Sequence, residues 1–196
     1  MLSLKRKRTI FTTISLTNSA SRAWCRALST NTMIHSISEI QEGILGCDGS
    51  CRDLNFLSSD GEAVANLIRW FTEHFDCLSA CDNEGVSIQL NSIWQTLKGL
   101  APTKSIQIGG ESSRCVIDKV QVFLFIEDDG TVDIEITFFP QDIKSEEFEI
   151  ASFLQLIKFW HTKAGANIGY LRYENASWKY GDTSRNSGVI HVSKNT

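Results

Sequence analysis

Five carboxylates crowd into nine residues: Glu127, Asp128, Asp129, Asp133 and Glu135. Asp142, Glu146, Glu147 and Glu149 follow at once. Acids at such spacing can carry general acid–base chemistry or hold a hard cation. A base partner is missing, however, because no histidine lies between His74 and His161. The central acids also sit in Asp128-Asp129-Gly130, a turn signal, with Asp133 and Glu135 at alternate positions of the strand pattern behind it. Their chemistry therefore reads as electrostatic: an acidic surface that steers and captures a basic protein partner. Trp178 and Tyr180 are candidate aromatic anchors for such a contact, with core packing as the alternative.

The thiols and imidazoles point to no reaction. Cys47 and Cys51 are four apart, as are Cys77 and Cys81, while Cys25 and Cys115 stand alone. Two Cys-x3-Cys pairs could offer four thiolates to zinc, but the usual spacing is Cys-x2-Cys and a strong helix pattern separates the pairs. The bland alternative is reduced thiols packed as small apolar groups. His74 precedes Cys77 by three residues, which on a helix would share a face, yet nucleophilic Cys–His dyads are normally assembled from distant parts of a chain. Gly109-Gly110 and Gly46-x-x-Gly49 do not meet the requirements of phosphate-binding loops. The expectation is no catalytic residue, no metal site and no cofactor.

Charge separates the chain into two parts. The net charge is −4 over 196 residues, but residues 1–38 hold six bases and no acid. All twenty-three acids and the other thirteen bases fall in the remainder, which carries −10. Such a body is a poor match for nucleic acid. No apolar run approaches the ~18 residues needed to span a membrane. Residues 1–32 are expected to be a disordered basic extension, either an overcalled start ahead of Met33 or a targeting segment. Residues 33–196 are expected to form a single domain.

The elements that must position these groups can be read in order. Ile34, Ile37, Ile40 and Ile44 recur at helical spacing, ending near Gly43 or Gly46. Cys51–Leu57 reads as a short strand. Ser59-x-x-Glu62 has the form of a capping box, and Val64, Leu67, Ile68, Phe71 and Phe75 then make an apolar stripe, predicting a helix over about 60–78. Val86–Leu90 alternates as a strand, Ile93–Leu97 suits a helical turn, and Ser105–Ile108 is a further strand. Val116–Glu127 and Thr131–Phe139 flank the Asp-Gly turn as a hairpin. Val120, Val122, Leu124 and Ile126 share one face while Phe123 and Phe125 share the other, so this strand is expected to be central and covered on both sides. In its partner Val132, Ile134 and Ile136 face in, and Asp133 and Glu135 face out. Ser145 with Glu146 and Glu147 marks a helix start for the stripe Ile150, Phe153, Leu154, Ile157 and Trp160, with Gly165 at its end and His161 and Lys163 as cations there. Ile168–Tyr173, Ser177–Tyr180 and Val189–Val192 are β-like. Strands in runs with interspersed helices give an α+β fold, a mostly antiparallel sheet with two main helices packed on it.

Two segments carry a resemblance: DGTVDIEITFFP at Asp129–Pro140 and RYENASWKYGD at Arg172–Asp182. With them the chain resembles the small immunity proteins of bacterial polymorphic-toxin systems, of the contact-dependent inhibition and Rhs types. The resemblance implies a non-catalytic cytoplasmic protein that binds and blocks a cognate toxin domain, often a basic nuclease. The basic extension departs from that picture. It leaves a second expectation: a mitochondrial matrix protein, a small enzyme or assembly factor, behind a cleaved presequence.

Overall fold

The computed structural model describes residues 35–93, 95, 97, 105–174 and 187–194. Trp178, Tyr180, the Ser177–Tyr180 strand and the basic extension lie outside the described residues. The elements are α1 (Ile37–Leu45), β1 (Arg52–Ser59), α2 (Gly61–His74), β2 (Cys77–Asp82), β3 (Ser105–Glu111), β4 (Lys119–Ile126), β5 (Val132–Phe138), α3 (Ile150–Ala164), β6 (Ile168–Tyr173) and β7 (Val189–Lys194). Short 3₁₀ turns at Leu90–Ser92 and Pro140–Asp142 join them. The strands form one seven-stranded sheet in the order β2-β3-β4-β5-β1-β6-β7. Every pairing is antiparallel. This is the α+β architecture that the hydrophobic pattern predicts.

One face of the sheet holds the core. Leu54 and Phe56 of β1, Val122 and Leu124 of β4, and Ile134, Ile136 and Phe138 of β5 are all at most 2% exposed. Over them lie α2 and α3, which meet through Trp160 against Phe71 and Trp70. Phe153 of α3 packs edge-on to Phe138, and His161 stacks on Phe56. α1 docks at the β7 end, where Gly43 leaves room for Ile190: a Cβ there would sit 2.9 Å from its side chain.

Helix ends differ from the sequence expectation for local reasons. α1 carries a complete capping box between Ser36 and Glu39. α2 is capped by Asp60, not Ser59. The Asp60 carboxylate accepts from the amides of Glu62 (2.9 Å) and Ala63 (2.8 Å), while Ser59 closes β1 opposite Val132. The helix stops at His74 instead of continuing to 78, because Phe75 turns extended and Asp76 donates to the Glu111 carbonyl at 2.9 Å. Cys77 therefore opens a strand and shares no helix face with His74. α3 starts at Ile150, five residues past the expected start at Ser145. Its cap is Glu149, which accepts from the Ser152 amide at 2.8 Å. Glu149 lies one turn before Phe153, and this capping role explains an acid beside the apolar stripe.

Two strand expectations are also corrected. Val86–Leu90 is no strand; only Ser87 forms a bridge, to Cys81. Asp82 accepts from the amides of Glu84 and Val86, both at 2.9 Å, so the segment is a turn that exposes Val86 to 58%. The paired strand is instead β2. The second concerns β4, which is interior but, among the described residues, has helices over one face only: Phe125 on the other is 40% exposed.

Candidate functional site: an acidic hairpin and an open sheet face

The β4–β5 hairpin is closed by local forces. Gly130 takes φ +83°, the left-handed conformation that glycine adopts freely. Its amide donates to the Glu127 carbonyl, and the Glu127 amide donates to Thr131, both at 3.0 Å. Asp129 ties the corner by accepting from the Thr131 hydroxyl (2.6 Å) and amide (2.9 Å). The Thr131 hydroxyl and amide hold the Asp129 carboxyl below the usual carboxylate range. Glu127, Asp128 and Asp129 are all exposed at this tip. Among the described residues none of the three has an ion pair.

Strand register sorts the remaining acids. Odd-numbered residues of β4 and β5 face away from the helices, and register places Phe123 beside Glu135, Phe125 beside Asp133 and Gln121 beside Thr137. Continuing across β1 and β6, Glu135 stands beside Asn55, and Asp53 beside Arg172. Arg172 is the hub of this face. Its Nη2 lies 3.1 Å from Glu135 and 3.2 Å from Asp53, and its Nε donates to Asn55 Oδ1 at 2.8 Å. Asn55 Nδ2 in turn donates to Glu135 at 2.8 Å, and Thr137 donates to Asp53 at 2.9 Å. Asp53 and Asn55 are 4% and 7% exposed. Among the described residues, two carboxylates share this one guanidinium.

The five predicted acids thus divide. Glu127, Asp128 and Asp129 project at the tip. Asp133 is half-buried, and its Oδ1 accepts from the Ser58 amide at 2.7 Å. Ser58 sits at φ +55° in the bulge of β1, a conformation costly for a side-chain-bearing residue. Glu135 belongs to the Arg172 network. Sequence reading missed Arg172, Asp53 and Asn55; the available signal was a pair of charges, Asp53 and Arg172, inside segments otherwise patterned as half-buried strands. Beyond the network, Leu57, Tyr170 and Val189 form a small apolar cluster with Ile168 and Val192. On the opposite side, Phe123 and Phe125 stack with centroids 6.3 Å apart and planes inclined by 14°.

The Cys51 and Cys115 thiols and the His74 and His161 imidazoles are engaged in structure. Cys51 is buried with Sγ 3.6 Å from Asp53 Oδ1. Burial, with the Asp53 charge beside it, pushes its thiol up to about 12, so it holds its proton at neutral pH. Burial also raises the Cys115 thiol. His74 stacks on Trp70 at 4.1 Å and bonds the Trp70 carbonyl through Nδ1. His161 is fully buried and its pKa is lowered by desolvation, so it is not the helix-end cation expected. Among the described residues no group of three or more His, Cys, Asp or Glu is arranged to hold a metal ion. No described helix is long and apolar enough to cross a membrane. Gly110, one half of the glycine pair, serves packing: a Cβ there would meet Leu78 at 2.7 Å and Phe75 at 3.1 Å.

No family model matches the chain, and no curated protein matches it. Among solved structures it is similar to a chain of the crystal structure of the toxic C-terminal tip of CdiA from Pseudomonas aeruginosa in complex with immune protein. The identity is 14%, the TM-score is 0.46, and the alignment covers 66% of this chain and 89% of that one.

Proposed function

We propose that this chain is a non-catalytic, immunity-type protein that binds and blocks a basic toxin domain. The observation that carries the reading is the hairpin tip: three exposed carboxylates on a hydrogen-bonded turn, with no ion pair among the described residues. A second support is the −10 charge of residues 33–196. A fixed cluster of like charge steers an oppositely charged partner and sets its orientation on arrival. Inhibition would follow from occlusion of the partner's working surface, without turnover. The protein would act in the cytoplasm from a start at Met33.

The test takes as its probe the C-terminal domain of a large toxin encoded immediately upstream; the absence of such a neighbour counts against the reading. Glu127→Lys with Asp128→Lys should weaken capture more than tenfold at about 50 mM salt and much less at high salt, where exposed charges are screened. Both residues are exposed and support no other group, so the fold is retained. Unchanged capture would refute the acidic-tip reading.

The acid-free, Ser/Thr/Arg-rich extension favours one other reading, a mitochondrial matrix protein with a cleaved presequence. N-terminal sequencing of the mature chain separates the two. Initiation at Met33 supports the cytoplasmic protein, and a processed end near Ser29 supports the organelle.

A further inference from the structure

The open sheet face offers more than charge. Each ring of the Phe123–Phe125 stack stands between an uncharged polar residue of β3 and a carboxylate of β5. Phe123 lies between Gln107 and Glu135, and Phe125 between Ser105 and Asp133. Among the described residues one oxygen of Asp133 is used, by the Ser58 amide. Glu127 follows two residues after Phe125, at the acidic tip. A stacked aromatic pair left 40% exposed at Phe125 and edged by acids is an arrangement that core packing does not explain.

We propose that this shelf is a binding surface for arginine side chains of a basic protein segment. The proposal rests on the reading above that the partner is a basic protein. A guanidinium is flat and weakly hydrated, so it can lie on a ring face while its N–H groups fork onto a neighbouring carboxylate. An ammonium is a compact, strongly hydrated charge and gains less from the ring. The fold already pairs a cation with a ring this way: the Arg52 guanidinium lies 4.4 Å from the Tyr173 ring centroid and bonds Asp48 at 3.2 Å. Charge complementarity selects a cation here, and the two rings select arginine over lysine.

The experiment titrates the intact chain with a fluorescent Arg-Gly repeat peptide and a Lys-Gly repeat of equal length. The wild type should bind the arginine peptide about threefold to tenfold more tightly, the range a ring–cation contact supplies. Phe125→Leu keeps an apolar side chain on an exposed strand position, and circular dichroism checks its fold. It should bring the arginine peptide down to the lysine level and leave the lysine peptide unchanged. Glu127→Lys should weaken both. Equal affinity of the wild type for both peptides, or an arginine preference that survives Phe125→Leu, would overturn the shelf and leave a purely electrostatic capture intact. No binding of either peptide would overturn both readings. If the wild type self-associates on sedimentation and Phe125→Leu abolishes that association, the face belongs to a second copy of the chain and the arginine surface is refuted.

Discussion

At the scale of single residues, two arginines, Arg52 fully buried and Arg172 partly buried, gather the carbonyls and carboxylates around them. Arg52 is fully buried. Its guanidinium donates to the carbonyls of Gly43, Gly46, Ser50 and Cys51 and pairs with Asp48. It therefore fixes the whole passage from α1 into β1. Lysine offers one point charge where all three guanidinium nitrogens donate, so Arg52→Lys is not conservative. Arg172 balances Asp53, which is 4% exposed, and Glu135. Arg172→Leu would leave Asp53 as an uncompensated buried charge and should lower stability by about 3 kcal/mol or more. Urea unfolding checks this: the midpoint should fall at unchanged slope. A loss under about 1 kcal/mol would mean that water reaches Asp53 freely.

At the scale of elements, the ends of α3 are decided by single side chains. Glu149 satisfies the amides of Ala151 and Ser152, so Glu149→Ala should cost about 1 kcal/mol. Gly165 ends the helix at φ +65°, and a Cβ there would meet Ala63 of α2 at 2.9 Å. Gly165→Ala thus combines a left-handed backbone with a steric contact and should cost more than the loss of the N-cap. Comparing the two thermal midpoints tests the order. Equal shifts would show that α2 yields at Ala63. The stripe and the glycine of α3 were legible in sequence; the true start was not, because Ser145-Glu146-Glu147 offers the same capping chemistry as Glu149. Only packing of Phe153 against Phe138 and Phe148 settles which turn is used.

At the scale of the whole molecule, stability should depend on two imidazoles. His191 on β7 is pushed down to about 4, chiefly by burial and further by the charge of His35 nearby. His161 is lowered by burial as well. The folded protein binds fewer protons at these sites than the unfolded chain does. Their stabilisation is present above pH 6.5 and is lost on acidification; at His191 the loss continues as pH falls toward 4. From pH 7 to 5 the loss at His191 should be about 2 kcal/mol, a window in which ordinary carboxylates stay ionised. Urea midpoints at the two pH values should show it, and His191→Gln should flatten the difference. An equally steep fall in His191→Gln would assign the effect elsewhere.

Local pattern determined the α+β class, the Asp-Gly hairpin and which face of β5 is apolar, because periodicity and turn chemistry act over a few residues. It failed at Val86–Leu90, where alternation is as clean as in a strand but Asp82 bonds the backbone into a turn. It could not tell that none of the described helices lies above Phe123 and Phe125, since period two looks the same on a covered and an open face. Nor could it assign the acids their separate roles. Arg172 reaches Asn55 across 117 residues of sequence, and Asn55 reaches Glu135 across 80. Sequence by itself made this chain acidic and placed the acids on a hairpin. Tertiary structure decided which of them are neutralised, because a carboxylate is balanced by whichever cation the strand order brings beside it.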